Sequence, residues 1–145
     1  FRPHNVYGPN MGNEHVIPQF ANRMRGLSLA KPSGKLDFSM KGDGKQTRAF
    51  CHIDDFTDAV LLIIKSGNNR EIYHIGNPQE TEIGDLALKI GKILDRDIFI
   101  SHTEEFQGET KRRCPDISKM ESIGFVPKVS LEQGLLETVN WYLGN

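Results

Sequence analysis

The chain has 145 residues, of which 37% are hydrophobic and 26% charged, a composition typical of a globular domain with a buried core and not of a disordered segment. Eighteen basic and nineteen acidic residues give a formal net charge of −1, which argues against a general polyanion binder because such proteins need a basic field. No apolar stretch approaches the ~20 residues that span a bilayer, and no signal-peptide pattern opens the sequence. We therefore expect neither a nucleic-acid nor a membrane partner.

The first nine residues, Phe1 to Pro9, read FRPHNVYGP. A run that ends in Asn-Val-Tyr-Gly-Pro is typical of a buried strand that leads into a tight turn at a binding cleft. Because such a segment normally lies in the middle of a protein, we expect this chain to be the second half of a larger one. The strand that begins at Phe1 is then expected to lack its sheet neighbours and to present an exposed edge.

The apolar pattern predicts one α/β unit in which helices and strands alternate. Between two strand-like runs, residues 41–45 are rich in turn formers and predict a hairpin-like connection. Asp54 or Asp55 is expected to cap the helix that follows. The last helix is expected to begin at a capping box formed by Ser130 and Gln133. In chain order, the predicted elements are a helix with Val16, Ile17, Phe20, Ala21 and Met24 inward; strands at 36–40 and 48–53; a helix with Phe56, Ala59, Val60, Ile63 and Ile64 inward, ending at Gly67; a strand at 72–76; a helix from Thr81; a strand at 97–101; a short helix at 116–123; and a helix with Leu131, Leu135, Val139 and Tyr142 inward.

Several residue types that carry catalysis or bind metals occur without the spacing that such chemistry needs. Cys51 and Cys114 lie in no Cys-x-x-Cys motif and are expected to be free thiols, as in a cytoplasmic protein. The five histidines show no spacing typical of zinc ligands, so no metal site is expected. Residues 42–47 (GDGKQT) lack the spacing of a phosphate-binding loop. Asp54 and Asp55 could form an acid–base pair, although helix capping explains them more simply.

The arginines are the most informative polar residues. Arg48 opens a strand in which it alternates with Phe50 and His52, so these three side chains are expected on one face. Arg112 and Arg113 lie in a predicted loop close to Lys119, and Arg2 precedes the turn at Asn5. If the fold brings these segments together near Asn5, the planar guanidinium groups would suit a diphosphate, at ~1.5–3 kcal/mol for each charge-assisted hydrogen bond. The alternative is that the arginines are solvated surface charges. Taken alone, the residues support an anion-binding α/β domain.

The order of the motifs resembles that of the extended short-chain dehydrogenase/reductase family, in particular its NAD-dependent nucleotide-sugar epimerases and dehydratases. The resemblance covers nearly the whole chain in collinear order. The matching segments are residues 2–9 (RPHNVYGP), 15–18 (HVIP), 42–55 (GDGKQTRAFCHIDD), 73–77 (YHIGN), 113–119 (RCPDISK), 124–127 (GFVP), 131–135 (LEQGL) and 141–142 (WY).

The resemblance implies a fold and a division of labour. The chain is expected to be the C-terminal, substrate-binding part of an extended Rossmann-type enzyme over residues 1–145, with a small mixed sheet and helices and with residues 1–9 as the last part of the Rossmann domain. NAD is expected to bind the missing N-terminal domain, which also carries the catalytic Tyr-x-x-x-Lys pair, since none of the three tyrosines here has a Lys four positions on. The resemblance also implies a homodimer of the full-length protein, and this chain alone is expected to be catalytically inert.

The resemblance also assigns roles to individual residues. Two departures from the common family pattern, Ala49 after the arginine and Cys114 in the later loop, leave the identity of the sugar and the nucleotide open. The implied substrate contacts are Asn5, Arg48 and Arg113 at the diphosphate, His15 and Val16 along the nucleotide pocket, Ser39, Met40 and Phe50 around the base and ribose, and Asp116 at the ribose hydroxyls.

Three functions remain open at this point. An NAD-dependent epimerase similar to UDP-glucose 4-epimerases is slightly favoured over a dehydratase or decarboxylase. A non-catalytic relative could keep the nucleotide-sugar pocket as a sensor or scaffold. A phosphate- or nucleic-acid-binding interaction module built on residues 111–113 (KRR) is the least favoured.

Overall fold

The computed structural model describes residues 1–104 and 110–144, in which short strands alternate with helices. No helix in these two ranges is long and apolar enough to cross a membrane. The strands are β1 (Arg2–Pro3), β2 (Val6–Tyr7), β3 (Leu36–Lys41), β4 (Thr47–Ala49), β5 (Cys51–His52), β6 (His74–Ile75), β7 (Glu80–Glu82), β8 (Ile98–Thr103) and β9 (Arg112–Arg113). The helices are α1 (Val16–Ala30), α2 (Ile53–Ser66), α3 (Ile83–Ile93), α4 (Ser118–Ser122) and α5 (Leu131–Leu143).

The longest strands, β3 and β8, pair in parallel over six residues, from Leu36↔Ile98 to Lys41↔Thr103. The predicted hairpin between β3 and β4 is wrong, because β4 lies in a different sheet, between β7 and β9. The intervening turn leads the chain away from β3. Gly42 and Gly44 both have positive φ values, 68° and 74°, which glycine adopts without strain. The Gly44 carbonyl then accepts a hydrogen bond from the N–H of Gly84 at 2.9 Å, which joins the turn to the start of α3.

Each of the first two strands has one sheet neighbour, which corrects the expectation that the first strand lacks neighbours, whereas its other edge is unpaired among the described residues, as expected. β1 pairs in parallel with β6, and β2 pairs in parallel with β5. The two strands are separated by a bend at Asn5, whose φ is 42°. The Asn5 carbonyl accepts a hydrogen bond from the N–H of Cys51 at 3.1 Å, which holds the bend against β5.

The start of α2 differs from the prediction that Asp54 or Asp55 caps it. His52 is the N-cap residue, and its Nδ1 accepts a hydrogen bond from the Asp54 N–H at 3.4 Å. The Asp55 carboxylate is only 2% exposed and accepts hydrogen bonds from the backbone N–H groups of Lys128 and Val129 at 2.9 and 3.0 Å. Asp55 therefore ties α2 to the segment that leads into α5.

Three other predictions need smaller corrections. The strand predicted at 48–53 is broken at Phe50, and its last residue already belongs to α2. The helix predicted from Thr81 begins at Ile83, after the unpredicted strand β7. Ile64 is exposed instead of inward. At 3.6 residues per turn it lies about 140° around the helix axis from the buried Ala59.

Within residues 1–104 and 110–144, the core has two parts. The larger one packs α1, α3 and α5 around the buried face of β3, and its members include Ile17, Phe38, Leu86 and Leu135. The smaller one lies between α2, β6 and α4. The capping box at Ser130 is confirmed, since both of its hydrogen bonds with Gln133 are present.

Candidate functional site

A cavity of about 470 Å³ opens where α1, β3, β4 and the first residue of α3 meet. Six of the nine residues predicted to contact a substrate line it, although they come from four separate segments of the chain. Its full lining is Asn5, Val16, Gln19, Phe20, Arg23, Ser39, Met40, Lys41, Gln46, Arg48, Phe50, Ile83 and Thr103.

A second cavity, of about 520 Å³, adjoins the first. Asn5 lines both cavities, so the bend between β1 and β2 marks the place where they meet. The Asn5 side chain is held there by its Nδ2 group, which donates a hydrogen bond to the Ala49 carbonyl at 2.8 Å. The second of the two Nδ2 hydrogens remains to serve a ligand. The other lining residues are Pro3, His4, Arg112, Arg113 and Cys114.

The segment around Arg113 is a short strand, β9, where the sequence predicted a loop. It pairs in parallel with β4, with Thr47 opposite Arg112 and Arg48 opposite Arg113. Residues that are paired across adjacent strands lie about 4.8 Å apart and project from the same face of the sheet. The pairing thus places Arg48, on the first cavity, beside Arg113, on the second.

The NAD dependent epimerase/dehydratase family model matches residues 1–76, more than half of the 145-residue chain. The chain belongs to this family. The result confirms the family resemblance that the motifs indicated, and with it the predicted α/β class.

Named relatives cover nearly all of the chain. GDP-L-fucose synthase 1 of Arabidopsis thaliana is 35% identical over an alignment of 147 positions, which covers 99% of this chain and 45% of that protein. The crystal structure of a dTDP-glucose 4,6-dehydratase from Streptomyces venezuelae, determined with NAD bound, matches with a TM-score of 0.81 at 32% identity, over 99% of this chain and 43% of that one. A UDP-glucose 4-epimerase from Thermotoga maritima, determined with UDP-glucose, matches with a TM-score of 0.83 at 30% identity, over 99% and 45%. The chain therefore spans less than half the length of these relatives.

Sequence reasoning missed five polar residues on the first cavity, and two of them, Gln19 and Arg23, belong to α1. Gln19 and Arg23 lie on the same face of α1 as Val16 and Phe20, at the i, i+3, i+4, i+7 spacing of a helix face. The Arg23 Nη2 donates a hydrogen bond to the Ser39 carbonyl at 2.6 Å. Once Val16 is assigned to the pocket, the helical spacing alone would have indicated both residues.

The charge of the first cavity is one-sided. Arg23, Lys41 and Arg48 line it, whereas no Asp or Glu occurs among its described lining residues. Lys41 and Ser39 lie on the exposed face of β3, two residues apart, so strand alternation would have indicated Lys41 from Ser39. Three cationic side chains among the described lining residues favour an anionic ligand.

Two predicted contacts lie elsewhere. His15 lines a separate cavity of about 70 Å³ that it shares with Asn5 and Val16. Asp116 is exposed and lines neither of the two large cavities. Its carboxylate accepts a hydrogen bond from the Ser118 N–H at 2.9 Å, which lowers the pKa of Asp116 and stabilises the start of α4. The ribose contact of Asp116 remains a prediction.

His52 does not share the cavity with Arg48 and Phe50, because it is buried against Tyr7, with the two ring centroids 5.3 Å apart. Together with Asp54 and Glu137 it forms a group whose potential metal-ligand atoms lie within 4.8 Å of one another. Both carboxylates are more than half exposed, at 76% and 58%. The His52 Nδ1 already accepts the N-cap hydrogen bond of α2. We assign the group to the packing of β5 against α2 and α5.

The two cysteines are free, as predicted, and should differ in reactivity. Burial, and then the charge of Asp55, raises the pKa of the Cys51 thiol to about 12. Cys114 is partly exposed on the second cavity, although burial raises the pKa of its thiol as well. Because the thiolate is the reactive form, we expect iodoacetamide at pH 8 to modify Cys114 and to spare Cys51 until the chain unfolds. Mass spectrometry of the tryptic peptides tests this, and equal modification of both thiols in the folded chain would contradict it.

Proposed function

We propose that this chain is the nucleotide-sugar-binding part of an NAD-dependent epimerase or dehydratase, and that it binds its substrate through the nucleoside diphosphate. The observation that supports this most directly is the pairing of Arg48 with Arg113 on adjacent strands, beside Asn5 at the junction of two cavities. Among the relatives, GDP-L-fucose synthase, dTDP-glucose 4,6-dehydratase and UDP-glucose 4-epimerase are all named for sugars carried on a nucleoside diphosphate.

The geometry suits a diphosphate at the junction. The backbones of Arg48 and Arg113 lie about 4.8 Å apart on adjacent strands. Their guanidinium groups can each donate two hydrogen bonds to a different phosphate group. The free Nδ2 hydrogen of Asn5 adds a neutral donor between the cavities. Each charge-assisted hydrogen bond contributes ~1.5–3 kcal/mol, so the two arginines would supply most of the affinity for the phosphates.

The two cavities differ in their linings, which supports a specific orientation of the substrate. Val16, Met40 and Phe50 give the first cavity apolar surface for a base and a ribose. The second cavity carries His4 and Cys114 beside the arginines, a polar lining that suits the hydroxyl groups of a sugar. Fixing the nucleotide end in this way holds the sugar in one orientation, which speeds a reaction at a remote carbon.

The reaction itself is assigned to a longer protein. We propose that residues 1–9 form the end of an NAD-binding domain, that the domain precedes this part, and that the protein acts as a homodimer. NAD would supply a hydride acceptor and donor for the sugar. No Tyr-x-x-x-Lys sequence occurs in these 145 residues, so we assign no catalytic residue to them. Their proposed task is to bind and orient the substrate.

The choice between epimerase and dehydratase is decided by the product. A dehydratase removes water from the sugar nucleotide, which lowers its mass, whereas an epimerase leaves the mass unchanged. We retain the epimerase as the slightly favoured activity. Mass spectrometry after incubation of the longer protein with NAD and a UDP-, dTDP- or GDP-hexose separates the two, and absence of turnover with retained binding would indicate a non-catalytic member.

The arginine pair provides the direct test of binding. We expect Arg48→Ala and Arg113→Ala each to lower the affinity for the preferred nucleotide sugar about 10- to 100-fold, because each removes a charge-assisted contact with the diphosphate. Isothermal titration calorimetry with UDP-, dTDP- and GDP-sugars measures this. Arg25→Ala is the matched control, since Arg25 is exposed and lines neither large cavity. Unchanged affinity in both test variants, or binding of a short oligonucleotide in preference to every nucleotide sugar, would contradict the proposal.

A further inference from the structure

The register of β9 determines which arginine stands beside Arg48. β9 has only two residues, Arg112 and Arg113, and its neighbour β4 has three. Side chains alternate between the two faces of a strand, so a slip of one residue would replace Arg113 with Arg112 on the face of Arg48. A pairing this short has few backbone hydrogen bonds with which to prevent such a slip.

On the face of the sheet opposite to Arg48 and Arg113, hydrogen bonds join Glu80, Thr47 and Arg112, one residue from each of the three strands. We call these three side chains the clip. Glu80 of β7 lies opposite Ala49 of β4 in the antiparallel register. Its carboxylate accepts a hydrogen bond from the Thr47 Oγ1 at 2.6 Å. It also accepts hydrogen bonds from the Arg112 Nη2 at 2.6 Å and from the Arg112 Nε at 3.0 Å. Glu80 thus reaches across the central strand and holds the arginine that precedes Arg113.

The clip engages one edge of the Arg112 guanidinium, through its Nε and Nη2 groups, which a carboxylate matches in shape and charge. The pairing lowers the pKa of the Glu80 carboxyl, chiefly through the Arg112 hydrogen bonds and then through that of Thr47. Arg112 borders the second cavity together with Arg113, so both arginines could in principle serve an anion there. The contact with Glu80 distinguishes them.

We propose that Glu80 is a positioning residue for substrate binding: by holding Arg112 on one face of the sheet, it presents Arg113 beside Arg48 on the other. The inference rests on the proposed role of Arg48 and Arg113 at the diphosphate. Glu80 itself does not touch the substrate. Its effect on affinity is transmitted through the register of β9.

Whether the loss of Glu80 raises or lowers the affinity for the nucleotide sugar distinguishes a positioning role from a purely electrostatic one. Glu80 is a carboxylate near a site for an anion, so its removal should tighten binding if charge alone mattered. If Glu80 positions Arg113, its removal should weaken binding. We expect Glu80→Ala to lower the affinity for the nucleotide sugar about 3- to 10-fold. Glu80→Gln should lower the affinity less, because its amide oxygen can still accept a hydrogen bond from Thr47 or Arg112.

The experiment is the same calorimetry, with three comparisons. Glu82→Ala is the matched control, since Glu82 is exposed on the same strand and makes no capping hydrogen bond to α3. In an Arg113→Ala background, Glu80→Ala should cause no further loss of affinity, because the residue that it positions is gone. The reversed pair, Glu80→Arg with Arg112→Glu, should recover affinity relative to Glu80→Ala.

Each outcome decides the inference. Unchanged or tighter binding in Glu80→Ala overturns it, as does an equal loss in the presence and absence of the Arg113 side chain, which would indicate general damage to the fold. These results would leave the proposed function standing as long as Arg48→Ala and Arg113→Ala weaken binding. If those two variants bind normally, the proposed function fails, and the inference fails with it.

Discussion

Replacement of Gly134 by Ala is expected to destabilise the fold by about 2–3 kcal/mol, although Ala is the better helix former by ~1 kcal/mol. Gly134 lies in the first turns of α5, where the helix crosses Tyr7 and His52. A Cβ atom at this position would clash with the Tyr7 Oη and would stand 2.8 Å from the His52 Cδ2. Both rings are buried, with exposures of 2% and 1%, so neither can move aside without disturbing the core.

The same helix-propensity gain can be measured without the clash. Gly26 lies in α1, and apart from its two chain neighbours and the adjacent backbone of that helix no atom of the described residues lies within 4 Å of a Cβ built on it, so Gly26→Ala should stabilise the chain by about 0.5–1 kcal/mol. Urea unfolding followed by circular dichroism compares the two variants. Tyr7→Phe should partly rescue Gly134→Ala, because it removes the nearest atom. Equal stability of Gly134→Ala and Gly26→Ala would show that α5 can shift without cost.

Replacement of Asp55 by Ala is expected to cost about 3 kcal/mol of unfolding free energy. The Asp55 carboxylate accepts hydrogen bonds from the backbone N–H groups of Lys128 and Val129, and the substitution would leave both donors without that partner. A buried donor that loses its acceptor costs about 1–3 kcal/mol. The loss should also loosen the entry into α5, since Val129 directly precedes the N-cap residue Ser130. Thermal or urea unfolding measures the change.

Asp58 provides the matched control for Asp55. It lies about one turn further along α2 and also contacts Lys128, but through the Lys128 Nζ at 3.0 Å. This ion pair is exposed on both sides, at 73% and 56%. Exposed pairs contribute little, so Asp58→Ala should change stability by less than about 0.5 kcal/mol. Similar losses in the two variants would indicate that the role of Asp55 is a general charge effect and not the two backbone hydrogen bonds.

The local elements were largely predictable because their signals are local. The stripe of α1, the capping box at Ser130 and the alternation of β3 depend on residues within one or two turns or strand repeats, and all three are present. The predictions were wrong where a residue interacts with a partner that lies far away in the sequence. Asp55 has the chemistry of a helix cap, yet its carboxylate bonds to a segment more than seventy residues away. Arg112 and Arg113 carry no strand pattern, and only pairing with β4 makes them a strand.

The candidate site followed a similar rule. Family resemblance in the motifs indicated Asn5, Arg48 and Phe50, and the structure brings them to the first cavity. Helical spacing would have predicted that Gln19 and Arg23 line the first cavity, once Val16 on the same face of α1 was assigned to it. The position of Thr103 could not be predicted in this way, because β8 meets β3 only through parallel pairing across sixty residues of chain. Sequence spacing gives no information about such a crossover.

By itself, the sequence determined the α/β class and the family, and it indicated a set of nine proposed substrate contacts, because helix faces, caps and the order of motifs depend on neighbouring residues. Only the tertiary structure decided how the set is arranged. It set Arg48 opposite Arg113, placed Asn5 between two cavities and engaged Arg112 with Glu80. Register between strands depends on contacts among residues far apart in the chain, and a shift of one residue reverses every side chain.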